Sequence, residues 1–164
     1  MPLKYEELRV LQASEAVADG IWKQVIPWDP FIRDVVGKQL AEAADSIGAN
    51  IAEAFGRFHY GEKVQFLYYA RGSLFETKYW LNRALERELL SAAQGQSYAS
   101  DLTELARQLN AFLSSLKTLR RNNKARRINV SEAHVEYNSD SIDGKPLLLF
   151  TTEELEWLET VQNT

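Results

Sequence analysis

The chain has 164 residues, of which 45% are apolar and 26% are charged, a composition typical of one globular domain with a hydrophobic core. Its longest apolar stretches fall far short of the roughly 20 residues that cross a bilayer, and its first residues lack the apolar middle region of a signal peptide, so we expect a cytoplasmic protein without a membrane partner. The chain contains no cysteine, which excludes disulfides, thiolate metal sites and cysteine nucleophiles.

The net charge of −4 is unevenly distributed along the chain. Residues 1–127 carry 18 basic and 15 acidic side chains, whereas residues 128–164 carry only Lys145 against eight acids. The sequence therefore predicts a weakly basic helical domain over residues 1–127 and an acidic C-terminal extension over residues 128–164.

Four long helical segments are predicted within residues 5–122. They are separated by breaks at Pro27 to Pro30, at Phe58 to Gly61 and at Gln94 to Ser97. Asp29 and Pro30 suit the N-cap and the first position of the second helix. Because short connections favour antiparallel neighbours, we predict an all-α fold, an antiparallel up-down four-helix bundle with a C-terminal extension.

Apolar side chains recur at helical spacing in all four segments. The first two stripes are Leu8, Leu11, Ala18, Ile21, Trp22 and Val25, and Val36, Leu40, Ala43, Ile47, Ile51, Ala54 and Phe58. The fourth stripe alternates spacings of three and four, which is the seam of a left-handed helical bundle. It consists of Leu102, Leu105, Leu109, Phe112, Leu116 and Leu119.

The third segment has two apolar lines instead of one. They are Leu67, Ala70, Leu74, Leu81 and Leu85, and Val64, Tyr68, Phe75 and Tyr79. One interpretation is a single wide core face. We favour the other interpretation, in which a second face packs against another subunit, because several of the additional residues are aromatic.

The helical pattern stops after Asn123, and residues 128–150 are expected to form a loop or a short hairpin around Asp143-Gly144. Thr151 followed by Glu154 then predicts a capping box for a last short helix. A helix this short is marginal on its own in water, so we expect it to dock on its own bundle or on a neighbouring chain.

Two motifs on the second and third helices are specific enough to indicate a family. They read Ser46-Ile47-Gly48-Ala49-Asn50-Ile51-Ala52-Glu53-Ala54-Phe55-Gly56-Arg57 and Phe66-Leu67-Tyr68-Tyr69-Ala70-Arg71-Gly72-Ser73-Leu74-Phe75-Glu76. In this order, across a short turn, they resemble the bacterial four helix bundle protein family, also called the 23S rRNA intervening-sequence protein family. The resemblance covers about residues 5–120.

The resemblance implies a closed four-helix bundle that assembles into a homopentameric ring and has no catalytic activity. A related branch supplies the accessory protein of diversity-generating retroelements, which binds reverse transcriptase and nucleic acid through a basic surface. The chain departs from the family at Ala54, where glycine is usual, and in residues 40–45, where acids replace bases. Its acidic extension is a third departure. The acids in residues 40–45 and the acidic extension weaken the inference that nucleic-acid binding in the family extends to this chain.

The motif residues include polar side chains that fall on facing sides of the two helices. A turn near residue 60 sets Ser46 opposite Ser73 and Gly48 opposite Gly72. We interpret the set as a register-setting polar network rather than a ligand or nucleotide pocket, because buried charges must be paired. Its members are Ser46, Asn50, Glu53, Arg57, Arg71, Ser73 and Glu76.

An enzymatic metal site is not expected. Carboxylate sites in helical bundles use Glu-x-x-His pairs, and neither His59 nor His134 has a glutamate three residues before it. Phosphate-binding glycine loops are also missing from the sequence. We therefore predict no enzyme activity, no catalytic residue, no metal and no cofactor.

A basic cluster marks the end of the fourth helix. It consists of Lys117, Arg120, Arg121, Lys124, Arg126 and Arg127. Three interpretations stay open: a solvated cluster favoured by the helix dipole, a nucleic-acid contact repeated around a ring, and a docking site for the acidic extension. The leading functional prediction is a non-catalytic oligomeric scaffold or accessory protein. The alternative is an accessory protein that binds RNA or DNA, or a nucleic-acid-processing protein, through this cluster.

Overall fold

The computed structural model describes residues 7–128, 141–142, 145–146 and 148–161. The helices are α1 Arg9–Val25, α2 Pro30–Ile32, a π-helical segment Arg33–Gly37, α3 Lys38–Gly56, α4 Tyr60–Glu86, α5 Ala92–Ile128 and α6 Thr152–Glu159. Strands β1 Ser141–Ile142 and β2 Lys145–Pro146 pair antiparallel, which agrees with the hairpin, one of the two alternatives left open for this region. The predicted all-α class is confirmed, because helices make up nearly all of the described residues apart from this short strand pair.

Four long helices surround one core, because each buries a single apolar face. Helix α3 packs against α1 and α4, and α5 packs against the same two helices. Gln94 at the start of α5 donates a 2.9 Å hydrogen bond to Gln24 near the end of α1, so these two helices run antiparallel. The largest fully buried aliphatic side chains of these helices are Ile21, Leu40, Ile47, Ile51, Leu67, Leu74, Leu102, Leu105, Leu109 and Leu113. Each contributes about 1.5–3 kcal/mol through burial.

The connection from α1 to α3 follows the sequence prediction at its start and departs from it afterwards. The Asp29 carboxylate accepts a 2.9 Å hydrogen bond from the Phe31 backbone N–H, and Pro30 takes the first helical position, as predicted. The π-helical segment was not predicted, and no local signal in the sequence marks it. Gly37 within it lies close against α1, because a Cβ there would meet Val25 Cβ at 3.3 Å.

The predicted third break is wrong in position. Gln94 and Gly95 lie in the first turn of α5, and the chain turns at residues 87–91 instead, with Glu88 at a positive φ of 57°. The Ser91 hydroxyl accepts from the Gln94 N–H, and the Gln94 side chain accepts from the Ser91 N–H, which forms a capping box. Gly95 serves close packing, because a Cβ there would lie 2.6 Å from Leu85 Cδ1.

The ends of the predicted stripes differ from the core. Phe58 is 89% exposed because it follows the last residue of α3, and Leu119 is 59% exposed on α5. Trp22 is exposed as well. Helix α5 continues to Ile128, beyond the last apolar position of its seam, because the Lys, Arg and Ala residues there have high helix propensity.

Candidate interaction surfaces

The C-terminal segment of residues 148–161, which we call the C-terminal arm, packs against helices α4 and α5 of the same chain. The Thr151 hydroxyl accepts a 3.2 Å hydrogen bond from the Glu154 N–H, and the Glu154 carboxylate accepts a 2.9 Å bond from the Thr151 N–H, as the predicted capping box requires. Leu149, Phe150 and Leu158 are fully buried and belong to the same core cluster as the long helices. The arm is therefore packed into the domain.

Aromatic stacking joins the arm to α4. The ring of Phe75 lies 5.7 Å from that of Phe150 and 5.6 Å from that of Trp157, nearly parallel to both. Phe75 belongs to the second apolar line of α4, for which we favoured contact with another subunit. At Phe75 this line is covered by the C-terminal arm, whereas Tyr79 on the same line stays exposed.

Cationic side chains of α4 bind the arm at both ends of α6. Arg71 Nε donates a 2.5 Å hydrogen bond to the Leu149 carbonyl, and the Arg71 guanidinium forms an ion pair with Glu154. One helical turn after Phe75, Lys78 Nζ donates to the carbonyls of Leu158 at 3.0 Å and Thr160 at 2.5 Å. Lys78 thereby satisfies carbonyls at the end of α6, where a cation also complements the helix dipole.

Helix α5 supplies the other wall. Asn110 Nδ2 donates to the Phe150 carbonyl at 2.8 Å, and Asn110 Oδ1 accepts from the Phe150 N–H at 2.9 Å. Arg107 Nη2 pairs with Glu159 Oε1 at 2.9 Å. Together with α4 these residues form a groove that holds the arm. We call it the docking groove and define it by Arg71, Phe75, Lys78, Arg107 and Asn110.

Lys78 is the most buried cation of the docking groove, with 2% of its surface exposed. Burial lowers the pKa of its ammonium group below the ordinary value of 10.5, because the charged form loses its water. The two carbonyl acceptors and the face of the Trp157 ring, 5.9 Å from Nζ, replace part of that hydration.

The predicted polar network on α3 and α4 is only partly brought together. Asn50 Nδ2 donates to the Ser46 carbonyl at 2.8 Å and approaches Ser73 Oγ at 3.4 Å. Glu53 and Arg57 form an ion pair one turn apart on α3. Arg71 turns away to the C-terminal arm.

The two motif glycines also have different surroundings. A Cβ on Gly48 would lie 3.0 Å from Ser14 Oγ of α1, so this glycine serves the approach of α1 and α3. A Cβ on Gly72 would meet nothing within 4 Å, although Gly72 was expected opposite Gly48. In the described part of the chain, Glu76 makes no hydrogen bond or ion pair with another network residue.

Arg120 of the basic cluster lies beside the α3–α4 turn, a proximity that the sequence did not predict. Arg120 lies over the Tyr60 ring at 4.7 Å. Arg57 lies over the Phe66 ring at 4.6 Å. Phe58, the residue after Arg57, is exposed to solvent. Lys124, Arg126 and Arg127 continue the α5 backbone, but their side chains lie outside the described part of the structure. We call the region formed by Arg57, Phe58, Tyr60, Phe66 and Arg120 the basic-aromatic end.

Acidic side chains line a different surface. Glu15, Asp19 and Asp45 line a cleft of about 440 Å³ between α1 and α3, together with Ser14 and Gly48. The Ser14 hydroxyl is buried and donates to the Leu11 carbonyl at 2.7 Å. The three acids make this cleft unfavourable for an anion such as a phosphate.

Metal and membrane chemistry are not indicated by the described residues. Among residues 7–122 and 148–161, no group of three or more His, Asp or Glu side chains is arranged to hold a metal ion. Within the part of the chain that the structure covers, no helix combines the length and the apolar character needed to cross a membrane.

The described residues define a helical domain in which a C-terminal arm packs against the long helices. Residues 6–111 match the family described as 23S rRNA-intervening sequence protein, and the chain belongs to that family. This confirms the family that the two motifs indicated.

A solved structure from Bacteroides thetaiotaomicron VPI-5482 is similar to this chain. It is a protein with unknown function from the S23 ribosomal protein family. The TM-score is 0.57 and the identity 28%, and the similarity covers 63% of this chain and 97% of that chain. No match was found among curated proteins. The C-terminal arm, at residues 148–161, lies beyond the residues matched to the family.

Proposed function

We propose that this protein is a non-catalytic, oligomeric scaffold of the cytoplasm, in which α1, α3, α4 and α5 form a closed antiparallel four-helix bundle and five copies form a ring. The observation that carries the proposal is an apolar surface around the α1–α2 connection. Four large apolar side chains are exposed there within 14 residues: Trp22, Ile26, Phe31 and Val35. A monomer rarely leaves such side chains clustered in water, and a contact with another protein surface removes that cost.

A second copy of the chain is the partner that we assign to this apolar surface, because the family resemblance implies a ring. A ring is built from heterologous contacts, in which one surface of each subunit packs against a different surface of the next subunit, so the apolar surface supplies one side of every contact. The number of subunits in the proposal, five, comes from the resemblance alone.

The test is the mass of charge-substituted variants in solution. Phe31→Asp places a carboxylate on a side chain that is 74% exposed, so the monomer fold tolerates it while the interface does not. We expect light scattering to fall from about five times the chain mass of 18.7 kDa to a single chain. The matched control is Leu119→Asp, at an apolar side chain 59% exposed near the other end of the domain. An unchanged mass for Phe31→Asp contradicts the proposed interface.

We propose RNA binding at the basic-aromatic end as a second candidate function. It is supported by Arg120 on the Tyr60 ring and by the exposed Phe58 ring, because cationic and aromatic groups side by side bind phosphates and stack on bases. Binding of single-stranded ribosomal RNA should weaken steeply with salt and with Arg120→Ala plus Arg121→Ala. The control variant is Lys23→Ala plus Arg87→Ala at the opposite end. Absence of binding at low salt removes this candidate.

A further inference from the structure

The docking groove recognises the C-terminal arm largely through the arm's backbone. Asn110 pairs with both the N–H and the carbonyl of Phe150. Arg71 binds a carbonyl before α6, and Lys78 binds one carbonyl in the last turn of α6 and one just after it. Peptide-binding sites also use side chains that bind the backbone groups of the peptide. None of these contacts depends on the covalent link between the arm and the rest of its chain.

Charge complementarity favours the arm as the occupant over other peptides. The groove presents Arg71, Lys78 and Arg107, whereas the arm carries four acids and no base. These acids are Glu153, Glu154, Glu156 and Glu159. Opposite charges steer an arm toward any open groove within about a Debye length, roughly 8–10 Å at physiological salt. Every copy of the chain carries one arm and one groove, so a second copy always offers a matching occupant.

The connection between α5 and the arm is long enough to reach a neighbour. Helix α5 runs 18 residues beyond Asn110 to Ile128, about 27 Å at 1.5 Å per residue. With the β1–β2 pairing kept, the 13 residues from Ile128 to Ser141 and the four from Pro146 to Phe150 span up to about 58 Å when extended. Because this reach is more than twice the return distance, an arm can bind either its own groove or that of an adjacent subunit.

We propose that the docking groove is a peptide-binding site for a second copy of this chain, and that neighbouring subunits exchange their C-terminal arms. The inference rests on the proposed oligomer, because a neighbour in a ring offers its groove at an effective concentration comparable to that of the arm's own groove. Exchange conserves every arm–groove contact, so it adds links between subunits without a new interface. The arm then acts as a strap that holds the ring closed.

Cross-linking between differently substituted full-length chains tests the exchange. The sequence has no cysteine, so Arg107→Cys in one chain and Glu159→Cys in another introduce one thiol each. Both positions are half exposed, and the two native side chains touch across the arm–groove contact at 2.9 Å. The chains are unfolded together in urea, refolded and treated with a short bismaleimide. We expect covalent heterodimers on a denaturing gel.

Two controls separate exchange from simple proximity. Glu104→Cys in place of Glu159→Cys places the second thiol on α5, outside the arm, and is expected to give several-fold less heterodimer. A chain that carries both Arg107→Cys and Glu159→Cys is expected to give a ladder of covalent oligomers. The exchange is overturned if this chain cross-links only within itself and the mixed chains give no heterodimer above the Glu104→Cys level.

Light scattering of the same refolded samples distinguishes the two proposals. An oligomer without heterodimer cross-links overturns the arm exchange and leaves the scaffold proposal standing. A single-chain mass overturns both.

Discussion

Asn110 and Phe150 form a reciprocal pair across 40 residues of sequence, in which one side-chain amide binds both backbone polar groups of one residue. The two bonds are 2.8 and 2.9 Å long. Because the Phe150 ring is almost completely buried, its backbone groups have little access to water and need this partner. The pair fixes the point at which the C-terminal arm enters the docking groove.

Replacement of Asn110 by leucine is expected to lower the free energy of unfolding by about 1–3 kcal/mol, because the backbone groups of Phe150 lose their partner. Urea unfolding followed by circular dichroism measures the change. Gln108→Ala, at a half-buried position two residues earlier, is the control and is expected to cost less than about 0.5 kcal/mol. Equal costs for the two variants would show that the Asn110 pair contributes nothing specific.

Stacking between Phe75 and Trp157 predicts an energetic coupling between the two positions. A double-mutant cycle with Phe75→Leu and Trp157→Leu is expected to give about 0.5–1.5 kcal/mol, the range for aromatic pairs beyond their buried area. A second cycle pairs Trp157→Leu with Tyr79→Leu, because the Tyr79 ring packs on Trp80 instead. Coupling in the second cycle as large as in the first would argue against the stacked geometry.

Lys78 predicts a rise of stability with pH in the alkaline range. Burial lowers its pKa in the folded chain below 10.5, so between the folded and unfolded pKa values the unfolded chain holds a proton that the folded chain has released. The free energy of unfolding therefore rises with pH across this window, and the cost of the buried charge is fully present below it. The measurement is the difference between the wild-type and Lys78→Met unfolding curves from pH 7 to 10.5.

Other groups with shifted pKa values, such as Tyr68 and Tyr98, whose pKa values burial raises, are present in both proteins and cancel in this difference. A difference that is flat with pH would mean that Lys78 keeps an ordinary pKa and that the arm leaves it hydrated.

Two glycines predict opposite effects of the same substitution. Gly72→Ala is expected to stabilise the chain by about 0.5–1 kcal/mol, because a helix-interior glycine is replaced and nothing lies within 4 Å. Gly95→Ala is expected to destabilise it by about 1–3 kcal/mol, because its Cβ would overlap Leu85. Thermal unfolding measures both. A loss of stability for Gly72→Ala would mean that this motif glycine contacts a surface outside its own chain.

Much of the fold could be predicted from local sequence signals. The Asp29-Pro30 start and the Thr151–Glu154 capping box lie within a few residues of the structure they determine, so their patterns were sufficient. The Ser91–Gln94 capping box carries the same kind of signal, but Gly95 beside it also suits a turn, and the sequence therefore predicts a break there. Gly95 is needed because a Cβ at this position would overlap Leu85 on another helix. A local sequence pattern does not show which residue of another helix lies against it.

The arm–groove contact was less predictable because its partners are distant in sequence. Arg71 and Glu154 are 83 residues apart. Folding α3 and α4 about the turn near residue 60 instead predicts that Arg71 lies with Glu53 and Arg57. The additional aromatic residues on α4 predict a second contact face, and at Phe75 the C-terminal arm of the same chain covers that face. Periodicity could show that Phe75 needed a cover, but it could not choose between a neighbouring subunit and the C-terminal arm.

The most direct measurement on the central structural claim, that the arm is docked in the groove, is hydrogen exchange at the Phe150 amide in the full-length protein. We predict that this N–H exchanges orders of magnitude more slowly than in an unstructured peptide, and that Asn110→Leu removes most of its protection. Protection is expected whether the arm binds its own groove or a neighbour's. Exchange of the Phe150 amide at the rate of an unstructured peptide would contradict the account.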